Sequence, residues 1–305
     1  MRSQLLLIPC LANYLSCESR NLIALHFIYQ FSSYERILTN IIANFDARSV
    51  DRMRQVLGWI AFAKRPLRKI EFRSALSFSA GDPMVDEPVP SYIFDMCAPL
   101  IEQRRDSSFA FIHVSVKEFV ASLTTRNLFA NYYFSYLQTP QSKILITEDN
   151  MIREHGIASI TCLLSGLEIF QPDYPSSVRS LRVLKGLYGF YVYANEYWVD
   201  YILSIVTSDD ILSQPSLLSS VLDNLSEKLD NLSESSIALD DEEDSVPSEN
   251  GLDLLKGYKG LYISARAALK ARSRSRLEDE IGKDGMYTCL FEYFTCSNVT
   301  LKVLQ

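Results

Sequence analysis

The stretch that decides the fold is residues 100–119, with the sequence LIEQRRDSSFAFIHVSVKEF. Two short runs that read as strands, residues 100–103 and residues 109–113, flank a polar turn. In the second run every other residue is Phe or His, which is the period of a β-strand with one buried side. Ser115 and Glu118 have the spacing of a capping box, which predicts that a helix begins directly after the second strand. The stretch therefore predicts a two-stranded ribbon followed by a helix.

Three short helices are predicted before this ribbon, because apolar residues recur there at steps of three and four. Ser49 is the predicted N-cap of the first helix, which ends near Arg65, and Pro66 begins the second. The apolar positions that we expect to face the core are Val50, Met53, Val56, Leu57, Ile60, Phe72, Ala75, Leu76, Tyr92, Ile93, Met96 and Cys97. Three helices, a two-stranded wing and a closing helix make up a winged helix, which we assign to residues 34–138.

The whole chain is predicted to be mainly α, with a helical domain at residues 139–235 after the winged helix. A helix is expected to begin near Asp149, with one apolar face formed by Ile157, Ile160, Leu163, Leu164 and Leu167. Further on, a stripe of leucines steps by four and three: Leu218, Leu222, Leu225, Leu229 and Leu232. Two heptads are too few for a coiled coil, so packing against its own domain is the favoured interpretation.

The remaining segments are predicted from composition. Residues 1–33 are apolar and aromatic without a clear period, and we leave them unassigned. Serines and a run of acidic residues predict a disordered linker at residues 236–250. Residues 251–305 are expected to form a helical C-terminal piece, which ends without a terminating signal, as in a truncated product.

The composition favours a soluble, cytoplasmic protein. Of its 305 residues 48% are apolar, which is enough to build a core and excludes wholesale disorder. The net charge of −7 and the pI near 5.2 argue against a generic polyanion binder, which would carry a basic excess. The six cysteines include no C-x-x-C pair, so we expect reduced thiols and no metal site. No apolar run reaches the roughly 18 residues that span a bilayer, so we expect no membrane partner.

Sequence patterns that carry catalytic chemistry are absent. The chain has no G-x-x-x-x-G-K-[ST] loop to hold the phosphates of a nucleotide, and no G-x-G-x-x-G, G-x-S-x-G or H-E-x-x-H pattern. His113 and Ser115 lie two positions apart, but nothing in the sequence brings their side chains together or supplies an orienting carboxylate. We therefore expect no catalytic residues, no cofactor of its own and no enzyme activity.

The densest basic cluster is formed by Lys64, Arg65, Arg68, Lys69 and Arg73. In a winged helix that binds DNA, the third helix and the wing carry the contacts. Here the basic residues flank the first and second helices, and the third helix carries no Lys or Arg. A solvated face is the favoured interpretation, and a surface for nucleic acid or a protein partner is the alternative. The corresponding alternative function is a stand-alone winged-helix nucleic-acid-binding protein.

Two segments of the chain resemble a known family. Residues 60–72 (IAFAKRPLRKIEF) and 111–119 (FIHVSVKEF) are similar to the winged-helix segment that follows the NACHT domain in fungal signal-transducing NTPases of the STAND class, relatives of NOD-like receptors. The resemblance covers residues 34–138 well and extends less distinctively to about residue 205. It implies a cytosolic signalling switch of innate immunity, in which an ADP-bound closed form opens on ligand sensing, exchanges its nucleotide and oligomerises.

The resemblance also implies a role for His113. In several relatives the histidine of the F-I-H-x-S/T motif reaches the nucleotide phosphates and holds the closed state, and His113 occupies that position here. The residues alone favour a different role, in which a histidine at the end of a buried strand satisfies neighbouring backbone groups. Both roles stay open at the level of the sequence.

This chain departs from the family pattern, because the phosphate loop, the magnesium-binding acidic strand and the C-terminal repeats are missing. ADP or ATP is therefore expected only in the context of a complete NACHT protein. The resemblance implies a non-catalytic regulatory fragment, from either a truncated gene product or a partial gene model. Its expected partner is a protein, a NACHT nucleotide-binding domain, rather than nucleic acid.

Overall fold

The computed structural model describes residues 33–122, 146–169, 171, 173–208, 216–233 and 251–281. This part of the chain is mainly helical, with a small two-stranded antiparallel sheet, so the predicted mainly α class is confirmed. Within it, no helix combines the length and the apolar content needed to cross a membrane. The acidic linker predicted at 236–250 and nearly all of the unassigned segment 1–33 lie outside the described residues.

The helices, the ribbon and the closing helix follow one another in the predicted order. The front part contains α1 (33–43), α2 (Ala47–Phe62), α3 (Lys69–Phe78), 3₁₀ turns at Ser91–Ile93 and Asp95–Cys97, β1 (Ile101–Gln103), β2 (Phe109–Phe111) and α4 (Val114–Ser122). The later part contains α5 (Glu148–Ile169), α6 (Ser176–Leu184), α7 (Tyr191–Ser208), α8 (Leu217–Ser233), a 3₁₀ segment (Leu252–Gly257) and α9 (Lys259–Ile281). Helix α1 precedes the predicted elements, and α6 was not predicted.

Helix α2 begins earlier than its predicted start. The N-cap is Asp46 rather than Ser49, and the Asp46 carboxylate accepts a hydrogen bond from the backbone N–H of Ser49 at 2.7 Å. That bond lowers the pKa of the Asp46 carboxyl. The prediction of a Ser49 cap was wrong because a carboxylate three residues upstream is a stronger acceptor for the unpaired N–H groups of the first turn.

Helix α3 begins later than predicted. Pro66 lies in the connection, and the helix starts at Lys69 with Arg68 as its N-cap. The Glu71 carboxylate reaches back and accepts a hydrogen bond from the backbone N–H of Arg68 at 2.8 Å. The prediction that Pro66 begins the helix was wrong, because the carboxylate that satisfies the helix start lies further along the chain.

The predicted third helix consists of two successive 3₁₀ turns, Ser91–Ile93 and Asp95–Cys97. Ile93 and Cys97 are buried as expected, whereas Tyr92 is 62% exposed, so its placement in the core was wrong. Prolines at 90 and 99 bracket the segment and leave too few residues for a longer helix.

The predicted ribbon is confirmed, although its second strand is shorter than expected. Strands β1 and β2 pair antiparallel, with Ile101 opposite Phe111. The inner side chain of the ribbon, Phe109, stacks on Phe94 with ring centroids 4.1 Å apart and meets the edge of Phe72 from α3 at 6.0 Å. These aromatic contacts hold the ribbon against α3.

Helix α5 forms the centre of the described structure. Its residues 155–166 are buried on every side, because α2, α3, α7 and α8 all pack against it. The predicted apolar face is therefore present but is only part of the buried surface. Trp59 of α2 joins this core, with its ring 5.4 Å from Phe190 and 6.0 Å from Tyr193. The boundary predicted between residues 138 and 139 lies outside the described residues and stays a prediction.

The leucine stripe of α8 packs against its own fold, as predicted. Leu218, Leu222 and Leu225 are almost completely buried, and α8 contacts both α5 and α9. The predicted helical C-terminal piece is helical over Leu252–Gly257 and Lys259–Ile281, and its last residues lie outside the described part of the chain.

Candidate functional site

His113 lies exposed in the short connection between β2 and α4. The strand ends at Phe111, and the backbone N–H of Ile112 still donates to the carbonyl of Leu100 at 3.1 Å. His113 thus follows the ribbon directly and precedes the first residue of the helix. Both neighbouring elements fix the backbone at this position.

The imidazole of His113 caps helix α4. Its Nδ1 accepts a hydrogen bond from the backbone N–H of Ser115 at 3.2 Å, and the Ser115 hydroxyl lies 2.7 Å from the same nitrogen. The predicted capping box with Ser115 as the N-cap was therefore wrong, since the helix begins at Val114. The ring nitrogen of His113 takes the role that a carboxylate or hydroxyl oxygen usually has at this position.

This arrangement determines which ring nitrogen of the neutral imidazole carries the proton. A backbone N–H can only donate, so Nδ1 must accept, and the neutral ring then carries its proton on Nε2. Among the described residues, Nε2 has no hydrogen-bond partner. Within the described ranges, His113 therefore offers one unpaired N–H donor on its exposed edge.

Ser115 connects His113 to helix α1. Its side chain is buried at 3% exposure, and its Oγ lies 2.8 Å from the hydroxyl of Tyr34. The ring of Tyr34 also packs on Phe119 of α4, with centroids 5.7 Å apart. Tyr34, Ser115 and His113 form a continuous chain of hydrogen bonds, although the sequence alone gave no reason for the last two to meet.

The Ser115–His113 pair differs from a hydrolytic dyad in its geometry. Ser115 is buried, and its hydroxyl is held between Tyr34 and His113. The ring nitrogen that meets it also accepts from the backbone, and in the described part of the chain no carboxylate orients the imidazole. The Ser115–His113 contacts therefore cap the start of α4 and turn the second ring nitrogen of His113 outwards, which differs from the arrangement of a catalytic dyad.

Some residues of the basic cluster are exposed to solvent, and others form hydrogen bonds within the fold. Arg65 makes two hydrogen bonds to the Glu71 carboxylate, at 2.8 and 3.0 Å, and its guanidinium lies 5.0 Å from the ring centroid of Tyr193. The hydrogen bond to Glu71 raises the pKa of Arg65. Burial raises the pKa of Glu71, but the bonds from Arg65 and from the backbone of Arg68 outweigh it and leave that pKa lowered. The charge of Arg65 is thus neutralised locally.

The other members of the cluster have different surroundings. Arg73 donates from Nε to the carbonyl of Val89 at 2.6 Å, which ties α3 to the loop that follows it. Lys64 and Arg68 are exposed, and Lys69 is partly exposed. The five residues are close in sequence, but in the structure only Lys64 and Arg68 are exposed to solvent rather than partly buried.

Helix α6 is turned so that one of its two arginines, Arg182, is inside and its apolar side chains are outside. Arg182 is only 2% exposed and donates hydrogen bonds to the carbonyls of Pro83 and Val85 at 2.9 and 2.8 Å. By contrast, Leu181 and Leu184 are 52% and 84% exposed. Sequence reasoning missed this helix, and its apolar spacing alone would have predicted the opposite orientation.

His155 is a second residue that sequence reasoning missed. It is completely buried in α5 and stacks on Trp59, with ring centroids 3.6 Å apart and an interplanar angle of 21°. Its ring meets that of Tyr201 in an edge-to-face contact with centroids 5.6 Å apart, and among the described residues neither ring nitrogen has a hydrogen-bond partner. Burial, and to a smaller extent the charge of Lys64, lowers the pKa of His155 well below its ordinary value.

The described cysteines, Cys97 and Cys162, are free and buried. Burial raises the pKa of the Cys97 thiol to about 12, and it raises that of Cys162 as well. Buried thiols with raised pKa values are poor nucleophiles and poor metal ligands. In the described ranges, no group of three or more His, Cys, Asp or Glu residues is arranged to hold a metal ion.

Comparisons with protein families, with curated proteins and with solved structures found no match to this chain.

Proposed function

We propose that this chain is a non-catalytic regulatory fragment of a NACHT-type signalling protein, which packs on a nucleotide-binding domain and holds its closed state. The observation that carries the proposal is the exposed edge of His113. One ring nitrogen is fixed by the start of α4, and the other presents an N–H that no residue in the described part of the chain pairs with.

We interpret the front part of the chain as a winged helix. Two helices, the 3₁₀ turns in place of a third, the ribbon and α4 follow in the order that such a module requires. The contacts of Phe109 with Phe94 and Phe72 support this interpretation, because they seat the ribbon on α3 as a wing.

The proposed action of His113 is the donation of a hydrogen bond from Nε2 to a phosphate oxygen of a nucleotide held by the partner domain. A hydrogen bond to a charged acceptor contributes about 1.5–3 kcal/mol, which biases a closed state tenfold or more. ADP would be bound by the nucleotide-binding domain of a complete protein, and the residues described here supply only the donor.

The cytoplasm is the proposed location, which the buried, free Cys97 and Cys162 support. We do not favour nucleic acid as the partner. Arg65 is neutralised by Glu71, and the net charge of −7 leaves little driving force from counterion release. The chain is proposed to act by contact with another protein domain, without turning over a substrate.

The test is binding of the full chain, in trans, to the ADP-loaded nucleotide-binding domain of a fungal NACHT protein. His113→Asn is the sharpest variant, because an Asn side chain can still cap α4 but removes the imidazole Nε2–H. We expect binding about tenfold weaker than wild type, while Tyr92→Phe, at an exposed site, leaves binding unchanged. Equal binding by wild type and His113→Asn would contradict the proposal.

A further inference from the structure

Tyr34 and Ser115 stand behind His113 in a single line of hydrogen bonds. Tyr34 Oη lies 2.8 Å from Ser115 Oγ, which lies 2.7 Å from His113 Nδ1. If the Tyr34 hydroxyl donates to Ser115, the Ser115 hydroxyl is free to donate to His113, in the same sense as the Ser115 backbone N–H. All donors in this line then point towards Nδ1.

We infer that Tyr34 and Ser115 are positioning residues for His113, which fix its ring and its tautomer so that Nε2–H is always the outward donor. The inference rests on the proposed function only for what that donor contacts. The hydrogen bonds themselves lie within this chain. They assign to Ser115 the role of orienting the His113 ring, which a residue in the first turn of a helix need not have.

These hydrogen bonds also link the orientation of His113 to the packing of α1 against α4. Ser115 and Phe119 lie one turn apart on α4, and Tyr34 contacts both, through its hydroxyl and its ring respectively. Leu38, one turn further along α1, is buried in the same core. A displacement of α1 would withdraw the Tyr34 hydroxyl from Ser115 and loosen the ring of His113. The orientation of the exposed Nε2–H of His113 therefore depends on the packing of α1.

The inference is tested on the full chain, labelled with ¹⁵N at histidine, by long-range ¹H–¹⁵N spectra at alkaline pH, where imidazole is neutral. The chain has three histidines, and His113→Asn identifies the signals of His113. In the wild type we expect one tautomer, with the proton on Nε2 and Nδ1 acting as a hydrogen-bonded acceptor.

Ser115→Ala should lose the acceptor signature at Nδ1 and show an averaged tautomer signal, because the remaining 3.2 Å bond from the backbone N–H is too weak to keep the ring from turning away. Ser115→Thr keeps the hydroxyl and should restore the wild-type signature. Tyr34→Phe keeps the ring on Phe119 and should produce a smaller change in the same direction. The matched controls, Ser180→Ala and Tyr92→Phe at exposed positions, should leave the spectrum unchanged.

The outcomes separate this inference from the proposed function. If Ser115→Ala and Tyr34→Phe fold and keep the wild-type signals of His113, or if the wild type carries its proton on Nδ1, the inference is overturned. If the signature is lost and Ser115→Ala also binds the ADP-loaded domain several-fold more weakly, both ideas are supported. If the signature is lost while Ser115→Ala and His113→Asn both bind like wild type, the positioning role stands and the proposed function fails.

Discussion

At the scale of single residues, His155 lies in an environment that strongly opposes its charged form. It lies in the middle of α5, stacks on Trp59 of α2, and has no partner for either ring nitrogen in the part of the chain that the structure describes. Its pKa is lowered well below 6.5 by burial first and by Lys64 second. The unfolded chain therefore binds a proton at this histidine in a pH range where the folded chain does not. Stability attributable to His155 is present above pH 6.5 and is lost as the pH falls below that value.

We predict that acidification from pH 6.5 to about pH 5 lowers the free energy of unfolding by about 1–2 kcal/mol through His155 alone. His155→Phe keeps a ring on Trp59 and should remove that part of the loss. Urea unfolding of the wild type and the variant at the two pH values measures the difference. Lys64→Gln should slightly reduce the loss of stability at acid pH, because the charge of Lys64 is the smaller cause of the lowered pKa. If His155→Phe loses as much stability at acid pH as the wild type, the loss comes from other groups.

Arg182 is a second residue with an unusual environment, since its guanidinium is buried and donates to backbone carbonyls of the loop after α3. We predict that Arg182→Met lowers the free energy of unfolding by about 1–3 kcal/mol, because the carbonyls of Pro83 and Val85 lose their donor. Arg182→Lys should recover only part of this, since an ammonium cannot reproduce the planar fork.

Arg105→Met in the exposed turn of the ribbon is the control and should change stability by less than about 0.5 kcal/mol. Thermal or urea unfolding gives both values. Equal stability of Arg182→Met and the control would show that the loop is held by other contacts.

The functional geometry of His113 could be predicted from the sequence only in part. The alternation of Phe109, Phe111 and His113 and the position before a helix were sufficient to place His113 at the junction. The spacing of Ser115 and Glu118 then suggested the wrong cap, because an imidazole can replace an oxygen as the acceptor of the first turn. The hydroxyl of Tyr34 comes from a distant position in the chain, and local patterns carry no information about such a contact.

At the scale of elements, α6 shows most clearly that an amphipathic pattern does not fix which side of a helix faces the core. Its leucines point outwards, and the residue that follows it in the core is Leu187, which is completely buried. The hydrogen bonds from Arg182 to the carbonyls of Pro83 and Val85, in the loop after α3, determine the rotation of the helix.

We predict that Leu184→Ala changes the free energy of unfolding by less than about 0.5 kcal/mol, because the side chain is 84% exposed. Leu187→Ala, three residues later, should cost about 2–5 kcal/mol, because it leaves a cavity in the core. The two leucines are matched in size and differ only in burial. A large loss for Leu184→Ala would mean that α6 packs with its leucines inside.

Elements with strong periodicity were predicted well. The ribbon, the long helix α5 and the leucine stripe of α8 were all found where the residues indicated. The predicted third helix became two 3₁₀ turns, because prolines on both sides limit the segment. Helix starts were the least accurate, since Asp46 and Glu71 provide carboxylates that compete with the expected caps.

At the scale of the whole molecule, the acidic balance and the local neutralisation of Arg65 argue against strong binding to nucleic acid. We predict that the full chain binds duplex DNA no more tightly than about 1 μM at physiological salt, and that added salt weakens this binding further. Lys64→Gln together with Arg68→Gln should abolish the residual binding, since these are the exposed cations of the cluster. Fluorescence anisotropy with two unrelated duplexes measures this, and tight, sequence-selective binding would favour the nucleic-acid-binding alternative.

The continuous core explains why contacts in one part of the molecule affect the geometry of another. Buried residues from α1 to α9 form one hydrophobic cluster, which joins the ribbon and α4 to the helices around α5. Because this framework holds both neighbours of His113, its exposed donor is expected to keep its direction when a partner domain approaches.

The central claim, that His113 supplies a donor which holds a nucleotide-bound closed state, is tested most directly by the rate of ADP dissociation. Residues 34–138 of this chain replace the equivalent segment of an intact, ADP-binding relative, and release of labelled ADP is followed for the wild-type graft and for His113→Asn. We expect ADP to dissociate about tenfold faster or more from the His113→Asn graft, which keeps the helix cap and replaces the imidazole Nε2–H by an amide donor of shorter reach. Equal dissociation rates in the two grafts would contradict the claim and leave His113 as the cap of α4 alone.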